Sequence, residues 1–279
     1  MVIDIKSFDT IPIMFGNVLR FIHGLEVEDS GFKRFVKKHF NLEQRTKMRQ
    51  RWYPIYGRFM RLTAGANLTK LAILSGTDKW GLHFFTPYYQ RHLGPLRKKK
   101  LNILEIGIKS GSSLRMWKAF FPNSQIYGID IDDKSYLREQ RIHTFCGDQS
   151  DEAFLKDVVS KMKTVDIIID DGSHMNAHVL KSFEVLYPLL SANGIYIVED
   201  IEYSYYPRAG GNPVDRNDQK TSMGYFKTLA DSINHPAYHQ NGETPSYVDK
   251  NVESIHFYPD IIFIQKGSCA REYARLKKI

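Results

Sequence analysis

The stretch VDIIIDDGSHMNAHVLKSFEVLYPLLSANGIYIVED, residues 165–200, decides the fold. Its two apolar runs, VDIIIDD and GIYIVED, are short, rich in β-branched residues and end on acids, so both read as buried strands. Between them, NAHVLKSFEVLYPLL has the length and apolar content of a helix. Strand, helix and strand in this order predict two parallel strands joined by a crossover. The same rhythm runs back to Lys100. LNILEIG, QIYGIDI and IHTFCGD read as strands, and SSLRMWKAFF, the short KSYLREQR and DEAFLKDVVSKM as helices. Towards the end, VESIHFY and DIIFIQK flank Pro259 and suit a closing antiparallel hairpin. The expected fold is therefore α/β, a doubly wound sheet of seven strands with helices on both faces. Ligands of such sheets bind beyond the carboxyl ends of the strands.

Before this region the pattern differs. Residues 12–75 read as helical, broken by EDSG and by Pro54. Then LSGTDKWGLHFFTPYYQRHLG brings Gly76, Gly81, Pro87 and Gly94, as a junction does. The expected division is a basic helical region over 1–75 and the α/β domain over 76–279. Charge follows a similar step: residues 1–100 hold 19 Lys/Arg against 7 Asp/Glu, and residues 101–279 hold 20 against 24. Residues 32–61 interleave aromatics with Lys and Arg. They form either a surface for a polyanion or an amphipathic helical segment with a solvated basic face.

A hydrophobic content of 42% with 25% charged residues is that of a globular chain with a packed core. No apolar run approaches the roughly 18 residues that span a bilayer. The first residues lack the basic start of a secretory signal. Two cysteines, Cys146 and Cys269, provide no disulfide framework and suit a reducing cytoplasm.

Acids recur at strand ends. Glu105 and Gly107 close the first strand, and Gly111 and Ser112 open the next helix, whose free N–H groups face a ligand site. Lys109 stands where a dinucleotide fingerprint needs its middle glycine, which argues against a pyrophosphate ligand. Asp130, 23 residues after Gly107, ends the second strand and can accept hydrogen bonds from both hydroxyls of a ribose. Asp148 and Gln149 end the third and can reach an adenine edge. Each acid alone is equally well a turn former, with Ser150 or Asp151 capping the following helix. Three in succession favour a nucleoside. S-adenosylmethionine, cationic and free of phosphate, fits that pocket better than a dinucleotide.

DDGSH (170–174) and VEDIE (198–202) end strands four and five. If these strands are neighbours, Asp171, Glu199 and Asp200 converge as an all-oxygen site suited to Mg²⁺, with His174 placed to take a proton. The alternatives are an Asp-Gly turn, a helix cap at Ser173 and solvated strand-end charges. Carboxylates crowded together without a cation repel one another, which favours the metal.

The motifs SGTDKWG, HFFTPYYQRHLG, LEIGIKSGSSL, YGIDI, GDQSD, DDGSHMNAHVLKSFEVLYPLL and GIYIVEDIEYSYYP, in order over roughly residues 70–235, resemble one family. It is the metal-dependent class I O-methyltransferases of macrolide sugars (mycinamicin type), with rhamnosyl O-methyltransferase and cephalosporin-hydroxylase-like relatives. The resemblance implies S-adenosylmethionine as methyl donor, Mg²⁺ held by Asp171, Glu199 and Asp200, and His174 as general base. It implies a sugar or polyketide hydroxyl as acceptor, and an N-terminal region engaged in homo-oligomer and substrate contacts. Asp78, Lys79 and Tyr88 are further candidates for the cofactor. Residues 201–222, rich in Tyr and Gly, have the composition of a substrate lid or of a long surface loop. Two rival functions are RNA methylation through the basic N-terminal region, and a non-catalytic scaffold that binds the cofactor.

Overall fold

A computed structural model describes residues 55–235 and 244–267. Most of the basic 32–61 stretch, Pro54 and Cys269 lie outside the described residues. The chain divides into two compact units, Met1–Lys98 with Lys109–Pro122, and Lys99–Ile108 with Asn123–Ile279. This differs from a division after residue 75, for a reason visible in the first unit. There residues 55–64 are helical, followed by α1 (Leu68–Ser75), α2 (Thr86–Leu93) and α3 (Ser112–Phe120). Helix α3 follows the first strand in sequence, yet Tyr89 of α2 meets its Trp117 edge to face at 4.9 Å, and both rings are fully buried. Burying aromatics of this size outweighs sequence proximity in grouping the helices. Helix α2 falls within the stretch read as a junction; Pro87 sits in its first turn, where a missing N–H costs nothing.

The second unit is built on seven strands: β1 (Asn102–Ile106), β2 (Gln125–Asp130), β3 (Ile142–Cys146), β4 (Ile167–Asp170), β5 (Ile195–Glu199), β6 (Val252–Tyr258) and β7 (Ile261–Lys266). Their order is β3-β2-β1-β4-β5-β7-β6, parallel except for β7, which runs antiparallel to both neighbours. The closing hairpin is as expected. Between β2 and β3 the expected helix is only a 3₁₀ turn, Ser135–Leu137. Asp133 captures the N–H and hydroxyl of Ser135, and the Arg138 guanidinium donates to the carbonyl and hydroxyl of Thr144. These side-chain bonds hold the backbone in a turn instead of a helix.

Helices α4 (Glu152–Met162), α5 (Asn176–Leu186) and α6 (Ser222–Ile233) share one apolar cluster with the sheet, and α7 (Tyr247–Asn251) precedes β6. Leu155, Val158, Phe183, Leu186, Phe226 and Leu229 meet Leu104, Ile168, Tyr196 and Ile264 there. Each such side chain, fully buried, contributes about 1.5–3 kcal/mol. Helix α6 has no counterpart among the elements read from the sequence; the Thr221 side chain caps it by accepting from Gly224 N. At the far end of β7 the buried Lys266 ammonium donates to the carbonyls of Tyr187, Pro188 and Leu190, which locks the end of α5 to the sheet.

Candidate active site

Strand order reverses between β1 and β4, so the chain leaves these neighbours in opposite directions and opens a crevice at their carboxyl ends. Gly107, just beyond β1, has φ 84°, and a Cβ there would lie 2.1 Å from the Asp171 carbonyl oxygen. Only glycine permits this approach. Asp130, at the end of β2, accepts from the backbone N–H groups of Ile108 and Asp132, with Lys134 Nζ 3.7 Å from its carboxylate. The loop after β1 and the expected ribose acid are thus brought together. Glu105 is wholly buried within β1.

Just beyond β4 and β5, ligand atoms of Asp171, His174 and Asp200 lie within 4.8 Å of one another, each side chain partly buried. His174 Nε2 is 3.5 Å from Asp200 Oδ2. Pairing of β4 with β5 makes this possible, with Asp170 opposite Val198. Both His174 (φ 55°) and Asp200 (φ 54°) adopt the left-handed backbone that side chains normally avoid, at about 1–2 kcal/mol each. Such strain persists where packing overrides it, and here it turns both side chains to one spot. Two carboxylates and one imidazole fit a divalent cation with a preference for hard oxygen donors. Glu199, 4% exposed at the end of β5, is next in the chain to Asp200 but is not one of that tight set.

A buried network surrounds Asp170, the last residue of β4. Asp170 is fully buried, and burial pushes its carboxyl up to about 6 against the opposing pull of Ser182 and Gln149. Ser182 Oγ donates to Asp170 Oδ2 at 2.5 Å and Gln149 Nε2 to Oδ1 at 3.1 Å, while the Tyr196 hydroxyl lies 3.4 Å from Oδ2. The Gln149 carbonyl accepts from Ser173 N at 2.7 Å. Asp148 is exposed and bonded to the N–H and hydroxyl of Ser150, which hold its carboxyl below the usual range; Asp151 caps α4 through Phe154 N.

Asn176, 1% exposed at the start of α5, organises residues 201–222. Its amide donates to the carbonyls of Tyr203 and Ala209 and accepts from the N–H and hydroxyl of Ser222. Both ends of the segment are therefore fixed to α5, while Val214 near its middle is 89% exposed. Tyr203 lies 4.9 Å from the His174 ring, and the Arg208 guanidinium 5.6 Å from Tyr203. Glu202 is pushed up to about 7, first by burial, then by Asp260 and Asp200.

The remaining candidates belong to the first unit. Ser112 opens α3, 3.0 Å from Ser110 Oγ and 3.3 Å from Arg115. Asp78 lies 3.9 Å from Lys109, which itself has a left-handed φ of 42°. Lys79 is 1% exposed and Tyr88 half-buried.

Residues 104–201 match a family described as a methyltransferase domain. The rhamnosyl tetracenomycin-C 2'-O-methyltransferase of Streptomyces olivaceus is 40% identical over 76% of this chain and 60% of its own length. The mycinamicin VI 2''-O-methyltransferase of Micromonospora griseorubida is 42% identical over 72% of this chain and 53% of its own. The chain thus spans little more than half the length of these relatives. Among solved structures, the MycE methyltransferase of mycinamycin biosynthesis, in complex with Mg and SAH, superposes with a TM-score of 0.71 at 42% identity, over 74% of this chain and 55% of that one. A further complex of it also contains mycinamycin VI.

Proposed function

We propose that this chain, which carries a methyltransferase domain and resembles macrolide- and rhamnosyl-sugar O-methyltransferases, methylates a sugar hydroxyl. S-adenosylmethionine is the donor, and the acceptor is a glycoside or polyketide alcohol. The observation that carries the reading is the meeting of Asp171, His174 and Asp200 just beyond β4 and β5. Asp171 and Asp200, with Glu199 adjacent, hold Mg²⁺. Bound there, the cation supplies a Lewis acid that lowers the pKa of an acceptor hydroxyl. His174 removes the hydroxyl proton; the oxygen attacks the methyl carbon as the C–S bond breaks, and the sulfonium becomes a neutral thioether. Asp200 lies within reach of His174 Nε2 and orients the ring. Gly107 and Asp130 belong to the cofactor's side of the crevice, with Glu105, Asp148, Ser112, Asp78, Lys79 and Tyr88 as further candidates.

Cysteine scarcity supports a reducing, cytoplasmic setting, and homo-oligomer formation carries over from the family resemblance. Among the described residues no helix is long and apolar enough to cross a membrane. The test of the proposed function is a labelled-methyl assay over rhamnosides, other glycosides, polyketide alcohols and RNA. Label in a glycoside or polyketide alcohol supports the reading. Label in RNA, or in none of them, overturns it.

A further inference from the structure

We propose that Gln149 is a positioning residue, which holds the Asp171–His174 loop in its metal-binding form and does not contact the cofactor. The inference rests on the metal reading given above. Gln149 is 7% exposed, and both ends of its amide are engaged inside the protein. Its NH₂ group donates to Asp170 Oδ1 and lies 3.4 Å from Ser182 Oγ; its carbonyl accepts from Ser173 N. Ser173 stands between the two functional residues of the loop, Asp171 and His174. One side chain just beyond β3 therefore ties the last residue of β4 to the centre of the loop.

The fit is close on both sides of the loop. A Cβ on Gly172 would lie 2.1 Å from Gln149 Oε1, and a Cβ on Gly107 would lie equally close to the Asp171 carbonyl. The loop is thus held between the exit of β1 and the Gln149 amide. Asp170 is itself fixed by the Ser182 hydroxyl, so the anchor of the strut does not swing. Glutamine suits this position because Asp170 requires a donor and Ser173 N–H an acceptor, and one amide 24 residues before Ser173 offers both. Residues that support a metal ligand without touching the ion typically change affinity 10–100-fold when removed.

The test is direct titration of the full chain with Mn²⁺, alongside titration with S-adenosylhomocysteine and a circular dichroism spectrum. Gln149→Leu keeps the size and removes both hydrogen bonds. Its Mn²⁺ affinity is expected to fall about 10–100-fold, with S-adenosylhomocysteine affinity within about twofold of wild type. The exchange variant Gln149→Glu with Asp170→Asn keeps one carboxylate and one amide with their roles swapped, and is expected to recover most of the lost affinity. Weakened S-adenosylhomocysteine binding with normal Mn²⁺ binding would overturn the proposal in favour of a cofactor contact. Normal binding of both would overturn it in favour of a packing role. If Gln149→Leu fails to fold, Gly172→Ala decides, since it displaces the same carbonyl without altering Gln149; unchanged Mn²⁺ affinity there overturns the proposal. A wild-type chain that binds no Mn²⁺ overturns the metal reading as well, so the two failures are distinguishable.

Discussion

Replacing Asp171 or Asp200 with asparagine is expected to reduce divalent-cation affinity by more than about 10²-fold, beyond the range of residues that merely support a ligand. Methyl transfer falls with it. Each change preserves shape and removes one charge from a site where two carboxylates and an imidazole crowd within 4.8 Å. Stability should respond in the opposite sense. Without metal, the wild-type acids repel one another, so the metal-free variants should unfold at the same temperature or higher. With Mg²⁺ added, wild type should gain thermal stability by mass action and the variants should not. Calorimetric titration and thermal unfolding in parallel measure both effects. A variant that keeps wild-type affinity for the cation would remove that aspartate from the metal site.

The second large effect is at His174, and it separates two roles that the geometry permits. An imidazole whose lone pair is bound to a cation cannot also accept the acceptor's proton. As general base, its loss in His174→Ala should lower kcat by about 10²–10⁴-fold and leave Mn²⁺ and S-adenosylhomocysteine affinities close to wild type. As a metal ligand, its loss would weaken Mn²⁺ binding in step with the rate. The 3.5 Å contact with Asp200 Oδ2 and the packing of Tyr203 against the ring favour a base oriented by its neighbours. Rapid-quench measurement of the chemical step, with Mn²⁺ titration on the same sample, distinguishes the two. Unchanged kcat would exclude His174 from proton transfer.

The sheet was legible because its strands announce themselves locally. Ile167–Asp170 and Ile195–Glu199 are buried along their whole length, and a strand buried on both faces reads as an unbroken apolar run. Helix α4 was equally clear, with Asp151 as its cap. What escaped was structure decided by distant partners. The segment after Asp133 has helix-forming residues, yet Thr144 on a neighbouring strand holds Arg138 and the segment turns. Helix α2 hides behind a proline and three glycines that suggest a junction.

The site divides in the same way. Asp171, His174, Glu199 and Asp200 stand out in the sequence because charged groups at successive strand ends are chemically conspicuous, and the fold gathers Asp171, His174 and Asp200 but not Glu199 into one tight set. Asn176, Ser182 and Tyr196 were not, since a polar residue on an otherwise apolar element becomes informative only when its partners are known. Gln149 shows the limit best. Its place beside Asp148 at a strand end suggested an adenine contact, while its hydrogen bonds point inward to Asp170 and Ser173.

If metal held by Asp171 and Asp200 drives methyl transfer to a sugar, the rate must follow the metal. The most direct measurement is the initial rate of label transfer from S-adenosylmethionine to a rhamnoside in three conditions: with Mg²⁺, with excess EDTA, and with Mg²⁺ restored. Transfer is expected in the first, loss in the second and recovery in the third. A full rate in EDTA would remove the metal from the reaction.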